Sequence, residues 1–275
     1  MANGLFGGGT GASGTPWLVE DAADLNAVRN SLGASYKQVS NIDLSGFAEW
    51  IPIGSIFSGV YDGGNYTVSN VICTGSYSYT GLFAGNSGNI INLGVENIDY
   101  VTSRSYVGGL VGRNISFGTI SDCYATGNII GGSYVSGLVG DNDNGIISNC
   151  YATVNVTGGD YVSGLVGDNN HDGIISNCYA TGNVTGSAYV GGLVSSNNYS
   201  GTTNNCYATG DITGSSNVSG LVGYNSGSGT ISNCYALNNY INRRAGQTAT
   251  SFGDITGAGE VINCYSLDTM QFIQL

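Results

Sequence analysis

The sequence predicts an all-β protein, a parallel β-helix (β-solenoid) with about 28 residues per coil, behind a short N-terminal cap that contains a helix. The usual preference of parallel crossovers makes the expected coil right-handed. Three observations carry this reading. Gly-Leu pairs at Gly81-Leu82, Gly109-Leu110, Gly137-Leu138, Gly164-Leu165, Gly192-Leu193 and Gly220-Leu221 are spaced 28, 28, 27, 28 and 28 residues apart. A second column, Cys123, Cys150, Cys178, Cys206, Cys234 and Cys264, is spaced 27, 28, 28, 28 and 30, and each of these Cys is followed by Tyr. The composition, 47 Gly and 2 Pro with only 9% charged residues in a chain of 275, excludes a Glu- and Lys-rich helical protein. At the same time 41% hydrophobic residues and 19 Tyr exceed what a chain without a core carries.

The elements follow in order. Residues 1–64 read as a lead-in and cap. Within them Glu20 to Leu32 places Ala23, Leu25, Val28 and Leu32 close to helical spacing behind acidic first-turn residues, and Gly33 ends the run. A strand around Tyr36 to Leu44 would help to cover the end of the rod, since an open strand edge templates aggregation. Met1 to Gly14 has neither the basic nor the apolar region of a signal peptide. The expectation is export by another route, a virion appendage, or an excised piece of a longer chain.

Residues 65–268 are the repeats. One unit reads Ser-Tyr-Val-Ser-Gly-Leu-Val-Gly at 133–140, a polar loop, Ile-Ile-Ser-Asn-Cys-Tyr-Ala-Thr at 146–153, then an Asn-Val-Thr-Gly turn. Such short β-branched and aromatic runs, punctuated by Gly, Asn, Asp and Ser, are strands and turns. A unit this small buries no core alone. Each strand therefore pairs in parallel with its counterpart one coil away at about 4.8 Å, and seven or eight coils make a rod of roughly 35–40 Å. Residues 269–275 break the repeat with Met270, Phe272, Ile273 and Leu275, and read as a second cap or an assembly contact.

One Lys, five Arg and a net charge of −12 leave no basic stripe for phosphates, which sets aside nucleic acid and anionic membrane surfaces as partners. No run reaches the roughly 18 apolar residues of a membrane span, so membrane insertion is not expected.

With these residues in view, the chain resembles proteins that carry the GLUG motif, repeats of bacterial surface adhesins and of some immunoglobulin-A-cleaving zinc metallopeptidases. The resemblance rests on Gly-Leu-Val-Gly at 109–112, 137–140, 164–167 and 220–223, on Gly-Leu-Phe-Ala at 81–84 and Gly-Leu-Val-Ser at 192–195, and on the Asn-Cys-Tyr-Ala-Thr-Gly segments. The opening is also similar, from Pro16-Trp17-Leu18-Val19 through Asn41-Ile42-Asp43-Leu44 to Tyr61-Asp62-Gly63-Gly64. It implies a parallel β-helix displayed outside the cell or on a particle. The metallopeptidases carry zinc in a separate domain. This sequence has no His-Glu-x-x-His and a single His, His171, so peptidase activity is not expected.

Candidate residues fall into three groups. The first is the core. In-register Cys with parallel Cβ vectors stay near 4.8 Å, wide of the ~3.8 Å a disulfide prefers, so Cys123, Cys150, Cys178, Cys206, Cys234 and Cys264 read as free thiols packed as small hydrophobes. Leu110, Leu138, Leu165, Leu193 and Leu221 share that core. Bound soft metal is the competing reading of the thiols.

The second group is aromatic. If Cys and the following Ala face inward, alternation sends Tyr124, Tyr151, Tyr179, Tyr207 and Tyr235 outward. A second column, Tyr106, Tyr134, Tyr161 and Tyr189, ends at Asn217. Either column is a candidate carbohydrate- or protein-binding stripe, or a stack that only stiffens the rod. The opposite register, with Ile147, Asn149 and Tyr151 inward, stays open.

The third group is acidic. Asp141, Asp143, Asp168, Asn170 and Asp172 occupy what read as equivalent loops, and Asp168 to Gly173 follows the first half of a calcium loop, with Tyr179 where a bidentate Glu would stand. A plain turn selects the same residues. No cofactor is expected beyond this calcium candidate. Carboxylate pairs of the kind polysaccharide-cleaving β-helices need do not repeat, although Asp122 and Asp211 replace Asn in single coils and Arg104 and Arg113 are the nearest basic candidates by sequence.

The expected function is that of a non-enzymatic extracellular, cell-surface or virion β-solenoid. It would act as a spacer and adhesion module toward a surface or envelope glycan or a protein receptor. The alternatives are a structural subunit of a filament or phage particle, self-associating through the solenoid ends, and a polysaccharide-degrading enzyme.

Overall fold

The computed structural model describes residues 6–243, 249–250, 252, 254–255 and 259–274. Met1 to Leu5 of the leader segment and Leu275 of the C-terminal segment lie outside them.

The chain winds as a parallel β-solenoid of about eight coils. In one coil the strands Val107–Gly108, Val111–Ile115, Thr119–Ser121 and Tyr124–Ile130 follow one another. Each pairs in parallel with its equivalent in the next coil, Val107 with Val135, Val111 with Val139, Ile120 with Ile147 and Ala125 with Ala152. Among the described residues the repeat thus becomes four sheets, of 10, 6, 7 and 14 strands, around one core. Backbone groups are satisfied between coils, which frees the sequence within a coil to turn sharply.

The turning is done by left-handed residues. Asp122, Asn149, Asn177, Asn205, Asn233 and Asn263 all have φ between 51° and 55°, a conformation that Asn and Asp reach at lower cost than other side chains. This corner settles the open register. Ile147 and Cys150 are both buried although three residues apart, because Asn149 interrupts the alternation between them; Ala152 is buried as well, Asn149 is exposed and Tyr151 half-buried. The alternative with Asn149 and Tyr151 inward is thereby corrected.

Inside, stacked columns of Ile, Cys, Ala, Val and Leu are closed to solvent. Leu110, Leu138, Leu165, Leu193 and Leu221 are fully buried, as are Cys123, Cys150, Cys178, Cys206 and Cys234. All the cysteines are free. Each column thiol donates to the carbonyl two residues back, Cys150 to Ser148 and Cys178 to Ser176 at 3.1 Å. The sulfur in turn accepts from the previous coil, as in Cys150 N–H to Cys178 Sγ at 3.4 Å. Cys264 departs from the expected buried set. It is half-buried, since it stands in the last described coil.

The conserved spacing of Gly-Leu has a steric cause. A Cβ on Gly164 would lie 2.3 Å from the Gly192 carbonyl oxygen and 2.7 Å from the Ala180 Cβ. The Gly column and the Ala column therefore interlock across a thin part of the core.

At the N-terminus the helix is shorter than expected. It spans Ala22–Ala27, capped by the Asp21 carboxylate, and tightens into a 3₁₀ turn at Val28–Asn30. The chain then leaves the helix because the Ser31 carbonyl accepts from the Tyr36 hydroxyl and the Leu32 carbonyl from the Ser58 and Gly59 amides. Strands Trp17–Val19, Ser35–Gln38 and Val60–Asp62 run straight into the sheet that holds Asn89–Ile91. Aromatic Tyr36, Trp50, Phe57, Tyr61 and Phe83 fill the core there. At the other end Gln271–Gln274 pairs with Tyr240–Arg243, leaving Phe272 43% and Ile273 37% exposed. Among the described residues no helix is long and apolar enough to cross a membrane.

Candidate functional site

In-register pairing stacks equivalent side chains, and both Tyr columns become ring ladders. Tyr124, Tyr151, Tyr179 and Tyr207 are spaced 4.8 Å between successive centroids with planes within 5°. At one end the Tyr124 ring covers Gly94, where a Cβ would lie 2.5 Å from it, and its hydroxyl donates to Glu96 at 2.6 Å. At the other end the ladder opens. Tyr235 pairs with Tyr265 at 5.7 Å, and among the described residues Tyr207 stacks on Tyr179 alone. A cleft of about 280 Å³ lies at this opening, lined by Asn177, Tyr179, Asn205, Tyr207 and Tyr235. A cleft of about 220 Å³ flanks the closed end, between Asn92, Asp122, Tyr124 and Tyr151.

The left-handed corner runs beside this ladder as a row of amides. Asn149 donates to Asp122 at 3.2 Å and Asn205 to Asn177 at 2.5 Å. Between Tyr124 and Tyr207 each ring covers its neighbours' faces and offers ring edges and hydroxyls; a ring face opens where this stack ends at Tyr207.

The second column is longer than the sequence reading allowed. Tyr79 leans on Tyr106 at 5.5 Å, and Tyr106, Tyr134, Tyr161 and Tyr189 stack at 4.8, 4.4 and 4.6 Å. The row turns onto the edge of Tyr224 rather than ending at Asn217. Burial is the main cause that pushes the Tyr106, Tyr134 and Tyr161 hydroxyls up, with nearby carboxylates and stacked phenols adding to it.

The acidic group lies on strands, not loops. Asp141 and Asp143 sit in Val139–Asp143, and Asp168 and Asn170 in Val166–Asn170, paired Asp141 to Asp168 and Asp143 to Asn170. Only Asp172 is in the turn, exposed. Protein donors already hold the carboxylates. Arg113 bridges Asp141 at 2.9 Å and Asp143 at 2.5 Å, Asn170 donates to Asp141 and Asp168, Asn198 to Asp168, and His171 lies 2.7 Å from Asp143. Among the described residues no group of three His, Cys, Asp or Glu is arranged to hold a metal ion. The half calcium loop is thus drawn apart by strand pairing. Burial, reinforced by Asp168 and opposed by Arg113, pushes Asp141 up to about 7.

Two features escaped the sequence reading. One is a cleft of about 650 Å³ between the lead-in and the first repeats, lined by Ile56, Tyr77, Tyr79 and Arg113 with Ser hydroxyls. Its walls come from segments far apart in sequence. The other is a buried ladder, Asn86, Asn114, Asn142, Asn169, Asn197 and Asn225, each amide donating to the next side-chain oxygen at 2.8 Å. Its signal was present, an Asn two residues after the Gly-Leu-Val-Gly position at spacings of 28, 28, 27, 28 and 28.

This fold and its stacked columns define a parallel β-solenoid, and one of its repeats matches a known motif. The family description "The GLUG motif" matches residues 103–130. Halomucin of Haloquadratum walsbyi is 32% identical over 151 residues, 48% of this chain and 2% of halomucin. A protein of Evansella cellulosilytica named as a candidate Gly-rich membrane protein is 35% identical over 126 residues, 40% of this chain and 14% of its own. The chain thus spans a small part of either relative. The crystal structure of a candidate immunoglobulin A1 protease from Bacteroides ovatus shares the fold, with a TM-score of 0.70 and 23% identity over 98% of this chain and 80% of that one.

Proposed function

We propose that the protein is a cell-surface β-solenoid that acts as a rigid spacer and adhesion module, binding neutral carbohydrate along the Asn–Tyr corner. The observation that carries this reading is the opening of the ladder at Tyr207, where one ring face, amides of Asn177 and Asn205 and a cleft of about 280 Å³ converge. An aromatic face takes the apolar side of a sugar ring while amides take its hydroxyls. A chain of net charge −12 disfavours anionic polymers. Binding rather than catalysis fits an acidic cluster whose carboxylates are engaged by Arg113, Asn170 and Asn198.

The test is retention of the full chain on immobilised neutral polysaccharides and bacterial envelopes, with sugar release assayed in the same tubes. Tyr207→Ala should lower retention at least tenfold, and Tyr151→Ala, whose ring is covered on both faces, should have little effect. Equal loss in both variants, or absence of retention, would overturn the corner site. Released sugar would favour an enzyme, and self-association without retention a filament subunit.

A further inference from the structure

The turn that joins Val111–Ile115 to Thr119–Ser121 recurs in each coil and presents an aromatic ridge on a face distinct from the Asn–Tyr corner. The turns close through Gly118 to Ile115, Gly173 to Asn170, Gly201 to Asn198 and Gly229 to Ser226 backbone bonds of 2.8 to 3.0 Å. Their first corner residue is left-handed, with φ 52° at Ser116, 51° at His171, 54° at Tyr199 and 64° at Gly227, and the shorter turn has Asn144 at 59°. In the first turn Phe117 is left-handed too, at φ 65°. Gly227 and Asn144 are the residue types this backbone favours. Phe117 and Tyr199 are not, and such positions cost on the order of 1–3 kcal/mol each, whereas His171 is of a type that reaches this region more readily.

Folding returns little for that strain. Phe117 is 69% and Tyr199 63% exposed, and the His171 side chain 59%. His171 and Tyr199 stack at 4.9 Å with planes 4° apart. Gly227 brings no side chain to the far face of Tyr199. Phe117 stands in the turn two coils away, about 10 Å along the rod, at the position that Asp172 holds in the His171 turn. The surroundings are mostly acidic, with Arg113 paired to Asp143 at one edge. Residues 114–242 carry Asp122, Asp141, Asp143, Asp160, Asp168, Asp172 and Asp211 and no Lys or Arg. Asp172 is exposed beside the ridge, while Asp143 is held by Arg113 at 2.5 Å and lies 2.7 Å from His171.

We propose that Phe117, His171 and Tyr199 form a docking ridge for a Lys- or Arg-rich segment of a partner protein, cationic side chains lying over the ring faces with Asp172 beside them. Ring faces attract cations through their quadrupole, and neighbouring carboxylates supply steering that neutral rings lack. Charge complementarity selects this occupant, and a strained, exposed aromatic is retained for contact rather than for the fold.

The experiment measures binding of a fluorescent oligolysine peptide to the full chain by anisotropy, with oligoglutamate and phosphatidylcholine vesicles in parallel arms. Tyr199→Gly combined with Phe117→Asn installs residue types that neighbouring coils already hold in this conformation. The expected result is at least a tenfold weaker oligolysine complex from a variant that melts no lower than the parent. Unchanged affinity in that variant, with loss confined to Asp172→Asn, would reduce the ridge to bulk electrostatics and overturn the proposal. Absence of oligolysine binding, preference for the vesicles, or a lower melting temperature of the double variant would overturn it as well.

Discussion

Truncating Asn169 to Ala tests the buried amide ladder most directly. The Asn169 Nδ2 donates to Asn197 Oδ1 at 2.8 Å and to the Gly173 carbonyl at 3.1 Å, and its Oδ1 accepts from Asn142 at 2.8 Å. All three side chains are fully buried. Truncation leaves Asn197 Oδ1 with only the distant Thr203 hydroxyl at 3.5 Å and takes one of the two acceptors from Asn142, which keeps Gly145 at 3.0 Å, while the Gly173 carbonyl keeps the Thr202 N–H at 2.8 Å. At about 1–3 kcal/mol for each of these two buried groups, the loss is roughly 2–6 kcal/mol. Asn155→Ala, in an exposed ladder bonded to Asn128 at 3.2 Å, is the control and should stay within about 0.5 kcal/mol of the parent. Asn169→Asp sharpens the test, because it keeps the shape but replaces the donor. It should cost at least as much as Ala at neutral pH and recover in acid, where a protonated carboxyl can donate. Urea unfolding followed by circular dichroism reads the midpoints, compared at matched slope. An Asn169→Ala loss no larger than that of Asn155→Ala would refute the claim that the ladder holds the coils together.

Other outcomes follow from the same geometry. Gly164→Ala drives a Cβ to 2.3 Å from the Gly192 carbonyl oxygen, so backbone must move between coils; we expect a loss of at least ~3 kcal/mol by thermal melting, and one under ~1 kcal/mol would contradict the interlocked core. Asp141 is raised from 3.8 to about 7 on folding, so its favourable contribution is full below pH 3.8 and is lost as the pH rises to about 7. Asp141→Asn should flatten that pH dependence of the melting temperature, and an unchanged profile would show that Asp141 is not its source. Alkylation of the folded chain read by peptide mass spectrometry should label half-buried Cys264 first and buried Cys73, whose thiol burial pushes up to about 12, only on unfolding. Equal rates would contradict the described packing.

Much of the fold was legible because a solenoid writes its geometry in one dimension. The Gly-Leu and Cys-Tyr spacings alone imply stacked coils, since only in-register parallel pairing makes a 28-residue period useful at every position. The free thiol column and the buried Leu column followed from that register. The site was less legible. The phase of the strands around Asn149 could not be read from alternation, because a left-handed corner resets it and Asn is also an ordinary turn residue.

The sequence by itself determined the repeat, the parallel architecture, the inward Cys, Ala and Leu columns and the acidic, weakly basic surface. Those depend on periodicity and composition, which survive any detail of side-chain placement. Tertiary structure decided the rest. It placed Asp141 and Asp168 on strands where Arg113 and Asn170 engage them, opened the Tyr ladder at Tyr207, joined the lead-in and Arg113 around one cleft, and set Phe117, His171 and Tyr199 on exposed left-handed turns. Apart from the opening between the two repeated residues Tyr207 and Tyr235, these features arise where a repeated position carries an unrepeated residue. Its partner then lies in the neighbouring coil, about a full repeat away along the chain and one strand spacing away in space.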